Sequence, residues 1–183
     1  MRFALALIVL LPAMASAAPQ KPAPAPTQDQ LFAQLKRCES PEDAKPIEDK
    51  LSALFRASGS PSVDLLMTRV QQSLSSSDSA TAKKLILAVT RIAPNYAEGW
   101  HARAAIESAA SDDTAALVSL QKTVLLNPRN FQALTELADM IEAYGDKKTA
   151  LKLYRQALAV DPQLEIARRK IQELTTAVEG RDI

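Results

Sequence analysis

Apolar residues recur at helical spacing through most of the chain, in segments of about 10 to 15 residues that are separated by polar breaks. Three of these segments close at prolines, Pro94, Pro128 and Pro162, which lie 34 residues apart. A short polar stretch divides the apolar pattern within each unit, most plainly at 144–146. The pattern predicts antiparallel helix pairs that repeat every 34 residues.

The three units match one another at small and apolar positions. The third and clearest unit carries Leu134, Leu137, Ala138, Ile141, Ala150, Tyr154 and Pro162. The second carries Trp100, Arg103, Ala104, Glu107, Ala116, Leu120 and Pro128. The first, which is weaker, carries Leu66, Arg69, Val70, Ser73, Ala82, Ile86 and Pro94. On these residues the chain resembles the tetratricopeptide repeat (TPR) family. The resemblance implies an all-α fold, a right-handed TPR-type α-solenoid of antiparallel helix pairs.

The same pattern predicts the boundaries of the units. Repeats are expected over 63–96, 97–130 and 131–164, followed by an amphipathic capping helix over 165–178. Residues 28–58 predict a degenerate helical hairpin that covers the first repeat, because terminal units of solenoids are often atypical.

Pro46 interrupts the second helix of this hairpin. Ser40 and Pro41 suit an N-cap and a first helical position. Pro46 has no N–H to donate to the preceding turn, so the sequence predicts either a separate first turn or a kink.

Residues 1–17 have the features of a signal peptide. Arg2 is positively charged, the run from Phe3 to Leu11 is apolar, and Ala15-Ser16-Ala17 fits the small-x-small cleavage rule. The alternative, a retained membrane anchor, is disfavoured because the apolar run is shorter than the roughly 20 residues that cross a bilayer. We expect an exported chain of the periplasm or cell envelope, with no stable membrane insertion after leader removal.

Residues 18–27 are rich in Pro and Ala and predict an extended linker, with a ligand for an aromatic groove as the alternative. The segments 58–67 and 93–100 and the tail 179–183 are similar to secreted, uncharacterised TPR proteins of Gram-negative bacteria. That resemblance implies export and carries no assigned activity.

The residue inventory argues against catalysis. The chain has one His and one Cys, and it lacks the Gly-rich motifs that cradle phosphates. Neither a Cys–His pair in one unit nor a His/Cys metal cage can be assembled. We therefore expect no enzyme activity, no cofactor and no metal site. The formal net charge of +1 does not indicate nucleic-acid binding.

The single cysteine, Cys38, follows Leu31 and Leu35 on one helical face. No disulfide can form within the chain. Cys38 is predicted to be a buried small residue, and the alternative is a disulfide between two chains.

The family resemblance also implies a binding site. In TPR proteins the first helix of each pair lines a concave groove. The matching positions here are Asp64, Met67, Gln71, Leu74, Glu98, His101, Ala105, Ser108, Gln132, Thr135, Asp139 and Glu142. This lining is mildly acidic and partly apolar, and it lacks the Lys/Asn/Arg clamp with which some relatives hold a peptide carboxylate. We expect a ligand segment that has Lys, Arg and apolar anchors. His101 is either a pH-sensitive contact or an ordinary polar surface residue.

These features predict a non-catalytic protein–protein interaction adaptor that binds a partner peptide or protein segment in the groove. The alternative is a permanent structural subunit of an envelope complex that uses its convex ridge or its ends. A third hypothesis, an envelope enzyme such as a hydrolase, requires turnover that depends on His101.

Overall fold

The computed structural model describes residues 26–178 and residue 180. In that part of the chain the regular structure is entirely helical. The helices described, in chain order, are α1 (Gln28–Leu35), α2 (Pro41–Arg56), α3 (Pro61–Ser75), α4 (Ser79–Ile92), α5 (Ala97–Ala109), α6 (Asp113–Leu126), α7 (Phe131–Ala143), α8 (Lys147–Val160) and α9 (Glu165–Val178). The predicted leader and most of the predicted linker lie outside the described residues.

Helices α3 to α8 form three successive pairs, α3 with α4, α5 with α6, and α7 with α8. Each pair packs on the next through α4 with α5 and α6 with α7, and α9 packs on α8. Helix α9 occupies the residues over which the sequence predicted a capping helix. The all-α solenoid predicted from the repeat period is confirmed.

The turn within each pair repeats one local structure. A residue with positive φ ends the first helix, and an Asp that accepts a hydrogen bond from the N–H three residues later begins the second. The residues with positive φ are Ser77, Ser111 and Gly145, and the capping residues are Asp78, Asp112 and Asp146. These turns recur at the 34-residue period of the sequence.

Helix α2 runs through Pro46 as one helix from Pro41 to Arg56. The first turn is therefore not a separate element. The Ser40 Oγ accepts a hydrogen bond from the Asp43 N–H at 3.2 Å, so the N-cap predicted for this helix is present.

The sequence predicted that the α1–α2 hairpin covers the first repeat. In the structure it does not. Leu65 of α3 is 55% exposed. Gly99, Ala133 and Ala167 stand at the same position one, two and three periods later, and all three are buried. The later residues have a preceding repeat packed against them, and Leu65 has none.

The hairpin instead lies along the row of turns that connect one pair to the next. Polar contacts connect it to each of these turns. The contacts are Tyr96 Oη donating to Arg56 O at 2.6 Å, Arg129 Nη1 to Asp29 Oδ1 at 2.8 Å, and Gln163 Nε2 to Cys38 O at 2.6 Å. Helix α2 therefore runs from the third turn back to the first.

The hairpin shares an apolar core with the solenoid. Leu31, Phe32, Leu35, Ala44 and Leu51 of the hairpin are buried together with Phe131, the first residue of α7. Val160, the last residue of α8, and Leu164, in the turn that follows, pack against this cluster. The Arg129 guanidinium lies 4.2 Å from the centre of the Phe32 ring. Cys38 packs beside the same core but is only partly buried, so it is more exposed than predicted, and the alternative of a disulfide between two chains stays a prediction.

Candidate functional site

The predicted groove residues lie on the first helices of the three pairs, α3, α5 and α7, but they differ in accessibility. Asp64, Gln71, Leu74, Ala105, Ser108, Gln132 and Asp139 are exposed. Met67, Glu98, His101 and Glu142 are partly buried. Thr135 is only 8% exposed, and its hydroxyl donates to the Phe131 carbonyl at 2.8 Å.

Thr135 therefore does not line an accessible groove. It lies one helical turn after Phe131, which is packed under the hairpin. The sequence pattern assigned Thr135 to the groove from its position in the repeat. It carried no signal that the hairpin packs at this end of α7.

The His101 side chain connects α5 to α7 through polar contacts with carboxylates. Its Nε2 lies 3.0 Å from Glu136 Oε2 of α7, its Nδ1 lies 3.5 Å from Glu98 Oε2 of α5, and the side chain is 13% exposed. Burial lowers the pKa of His101, but hydrogen bonds and charges of Glu136 and Glu98 outweigh this and raise it from 6.5 to about 10. His101 is an imidazolium that ties α5 to α7 at neutral pH.

Asp139 and Glu142 accept hydrogen bonds from within the protein. Tyr154 Oη of α8 lies 2.5 Å from Asp139 Oδ1 and 2.9 Å from Glu142 Oε2. Lys170 Nζ of α9 lies 3.1 Å from Glu142. Burial and these two carboxylates raise the pKa of the Tyr154 hydroxyl, so it remains a donor. Both carboxylates help to hold the last helices together.

Asp64, Met67 and Gln71 line a depression of about 550 Å³ beside the end of α2, together with Arg56, Thr68 and Tyr96. The Asp64 carboxylate accepts hydrogen bonds from the Ser58 hydroxyl and N–H, and these bonds lower the pKa of Asp64. Asp64 therefore holds the linker between α2 and α3 in place through these hydrogen bonds. The hairpin forms one wall of the depression through Arg56 at the end of α2.

An open cleft of about 490 Å³ lies between α5 and α7, beyond the hairpin. Its lining combines small residues, apolar residues and carboxylates. The lining residues are Ala104, Ala105, Ser108, Ala109, Leu120, Glu136, Asp139 and Met140. The cleft continues toward Tyr144, which is 61% exposed, past Ala143 and Asp113.

This arrangement can hold an apolar side chain on a floor of Ala and Met while the carboxylates at its rim attract cationic groups. Ala105, Ser108 and Asp139 were predicted from the family pattern. Glu136, Met140 and Tyr144 were missed, although Glu136 and Met140 occupy exposed or partly exposed positions of α7 and Tyr144 follows its last residue. Their spacing of four residues is the signal that could have found them.

Among residues 26–178 and 180, no His, Cys, Asp or Glu side chains form a group of three that could hold a metal ion. Within the same residues, no helix is both long and apolar enough to cross a bilayer.

No protein-family model matches the chain. A TPR repeat-containing protein of Rhizobium etli is 26% identical over 152 residues, which cover 83% of this chain and 74% of the relative. The first TPR of Spaghetti (RPAP3), solved bound to the HSP90 peptide SRMEEVD, has a TM-score of 0.57 and 15% identity, and the match covers 64% of this chain and 93% of that one. The TPR2B domain of yeast Sti1, solved in a pHsp70 complex, has a TM-score of 0.55 and 22% identity, with 67% and 100% covered. The repeat period, the paired helices and these likenesses together show that the chain has the tetratricopeptide repeat fold.

Proposed function

We propose that this protein is a non-catalytic adaptor that binds a segment of a partner protein in the cleft between α5 and α7. The observation that carries the proposal is the open cleft itself, which has a floor of small and apolar residues and a carboxylate rim. The Spaghetti and Sti1 domains, which share the fold, were solved with an HSP90 peptide and with pHsp70. Their binding supports peptide capture as the kind of work this fold performs.

The preferred ligand has the opposite charge to the acidic SRMEEVD peptide held by the Spaghetti domain. Asp139 and Asp113 stand along the cleft, together with Glu136, whose charge the His101 imidazolium partly offsets. An acidic peptide would bring like charges together, whereas Lys or Arg side chains would be attracted. Met140 adapts its shape to an apolar anchor between them.

A peptide array tests this ligand class. The purified chain is applied to an array of basic–apolar and acidic–apolar peptides of equal length, with SRMEEVD included. We expect binding to the basic–apolar set and its loss in a Ser108→Tyr variant, whose larger side chain fills the cleft. Val118→Ser on α6 is the matched control and should bind as the unchanged chain does. Preference for acidic peptides, or binding that survives Ser108→Tyr, would overturn the proposal.

A structural role on the convex side is the second candidate, because α6 carries exposed apolar residues there. Val118 is 57% exposed and Leu125 is 74% exposed, and they are seven residues apart on one helical face. If this face anchors the protein in an assembly, Leu125→Lys should abolish association and Ser108→Tyr should not.

Export to the periplasm or cell envelope is part of the proposal and is supported by the leader-like pattern in residues 1–17. The expected mature chain begins near Ala18. Mass spectrometry of the protein recovered from fractionated cells measures this directly, and an intact N-terminus in a cytoplasmic fraction would contradict it.

A further inference from the structure

Two carboxyl groups meet where the hairpin docks on the solenoid. Asp161, in the turn between α8 and α9, is 0% exposed, and its Oδ1 accepts a hydrogen bond from the Gln163 N–H at 2.9 Å. Its Oδ2 receives no N–H or hydroxyl hydrogen bond from the described part of the chain. The Glu48 carboxyl of α2 lies close enough to this buried group for each carboxyl to act on the pKa of the other. A hydrogen bond between the two requires a proton on one of them, because two carboxylates are both acceptors.

The turn itself does not require an acid at this position. Asn127 stands one period earlier, and its Oδ1 accepts a hydrogen bond from the Arg129 N–H at 3.2 Å, as Asp161 does from Gln163. An amide therefore builds the same turn. What distinguishes Asp161 is that its carboxyl is fully buried, has one oxygen without a donor in the described part of the chain, and interacts with Glu48 of the hairpin.

The surrounding charges do not compensate two ionised carboxylates. Lys45 Nζ lies 4.0 Å from Glu48 Oε2 but only 2.7 Å from Asp49 Oδ1, so Asp49 shares its charge. Cys38 lies at the same corner, because burial and then the charges of Asp43, Asp161 and Glu48 raise the pKa of its thiol. Burial and the Asp161 charge raise the pKa of Glu48 from 4.5 to about 7, and burial raises the pKa of Asp161.

We propose that the proton shared by Glu48 and Asp161 makes hairpin docking pH-sensitive, so that the hairpin is held on the solenoid at acidic pH and released as the pH rises past neutrality. Release uncovers Phe131, Val160 and Leu164, the apolar residues that the hairpin packs against. This inference does not depend on which ligand the α5–α7 cleft takes.

The direction follows from proton linkage. The docked state binds its proton up to a pH of about 7 at Glu48, whereas a released, solvated Glu48 loses its proton near the ordinary value of 4.5. Between these values the docked state holds more protons, and docking weakens as the pH rises. Below this interval both states are protonated and docking no longer changes.

Hydrogen–deuterium exchange of the full mature chain measures docking locally. Peptides from α1 and α2 are compared with peptides from α7 and α8 between pH 5 and pH 8, after correction for intrinsic exchange. In the unchanged chain we expect protection of α1 and α2 to fall by roughly 10- to 100-fold across this range. Glu48→Gln keeps a hydrogen-bond donor and removes the titration, so its protection should stay nearly constant.

Two further variants complete the design. Glu42→Gln neutralises an exposed acid on the same helix and should keep the pH profile of the unchanged chain. Asp161→Asn reproduces the residue that already builds the equivalent turn at Asn127, and it should flatten the profile as Glu48→Gln does. This variant decides the matter if Glu48→Gln does not fold. An unchanged profile in the folded variant, a flattened one in Glu42→Gln, or equal loss of protection in α7 and α8 would overturn the proposal.

Discussion

A single buried carboxylate, that of Glu107, joins the helices of the second repeat. Glu107 is 4% exposed, and it accepts hydrogen bonds from Arg103 Nε at 2.7 Å and from Ser119 Oγ of α6 at 2.6 Å. Arg103 also reaches Thr90 of α4 and lies 5.1 Å from the centre of the Trp100 ring. The third repeat has Leu137 and Ile141 at the positions of Arg103 and Glu107. The second repeat therefore replaces an apolar pair with a buried ion pair four residues apart.

Removing one member of this pair should cost more than removing both. Arg103→Leu leaves the Glu107 charge buried without its cation, and we expect a loss of about 2–3 kcal/mol, reduced because Arg103 is partly exposed. The double variant Arg103→Leu/Glu107→Leu should recover most of this loss, since well-packed apolar residues often match a buried ion pair. Urea denaturation followed by circular dichroism measures both. Equal destabilisation by the single and the double variant would contradict this account.

His101 should make the stability depend on pH in the alkaline range. Its pKa is 6.5 when solvated and about 10 in the fold, so the folded state binds more protons between these values. The stabilisation is complete below about pH 6.5 and is lost as the pH rises through about 10. Relative to His101→Gln, the unchanged chain should be more stable by about 1–2 kcal/mol at pH 6.5. Urea unfolding at successive pH values should show that difference shrinking toward pH 10, and a constant difference would count against the ion pair.

At the scale of elements, the turns within the helix pairs set the length of the repeat. Each requires one residue with positive φ before the capping Asp, and only the third uses Gly, at Gly145. Ser77 and Ser111 occupy the same left-handed conformation, with φ of 61° and 59°. A side chain carries a steric cost there that glycine does not.

Ser111→Gly should therefore stabilise the protein by about 0.5–1 kcal/mol, because relief of the left-handed strain exceeds the added freedom of the unfolded chain. The same substitution at Ser108, inside α5, is the matched control and should destabilise by a similar amount. Thermal melting and urea unfolding give the two signs. A loss of stability in Ser111→Gly would mean that its side chain contributes more than its backbone costs.

At the scale of the molecule, the hairpin runs along one edge of the solenoid and ties all three inter-repeat turns together. It leaves Leu65 exposed at the first repeat and leaves the cleft between α5 and α7 open. The side chains of His101, Asp64 and Thr135 are engaged in contacts within the protein. The cleft between α5 and α7 offers Ala105 and Ser108 as exposed lining residues instead.

The buried residues of the hairpin core should contribute to the free energy of unfolding. Their positions in the sequence alone do not show which leucine of α2 contributes most. Leu51 is 0% exposed, whereas Leu54, one turn later on α2, is 43% exposed. Leu51→Ala should cost about 2–4 kcal/mol and Leu54→Ala less than about 1 kcal/mol. Urea unfolding of the two variants measures the contrast, and similar small losses would show that the hairpin is only loosely attached.

The repeat architecture could be predicted because its signals are local. Gly145-Asp146 and the prolines at the ends of the pairs act on neighbouring backbone, and α5, α7 and α9 begin at Ala97, Phe131 and Glu165, where the period starts each new unit. Hairpin docking could not be predicted in the same way. It rests on contacts between residues far apart in the chain, such as Asp29 with Arg129 and Cys38 with Gln163.

The candidate site could be predicted only in part, because local signals give the position of a residue in the repeat but not its partners on other helices. Ala105 and Ser108 follow from their positions in the repeat and line the cleft. Glu136, which pairs with His101, and the partners of Asp139 and Glu142 come from the next helix or the one after, and nothing in the helix that carries each predicted residue indicates them. A pattern that assigns a face to a residue does not reveal which neighbouring side chain already occupies that face.

Photo-crosslinking in living cells tests the central claim most directly. A photoreactive residue is placed at Ser108, in the cleft, and in a parallel protein at Val118, on the convex face of α6. After irradiation, adducts are identified by mass spectrometry. The account predicts a dominant protein adduct from Ser108, crosslinked through a segment rich in Lys, Arg and apolar residues, and none of comparable yield from Val118. A dominant adduct from Val118 with none from Ser108, in a protein shown to be folded, would contradict it.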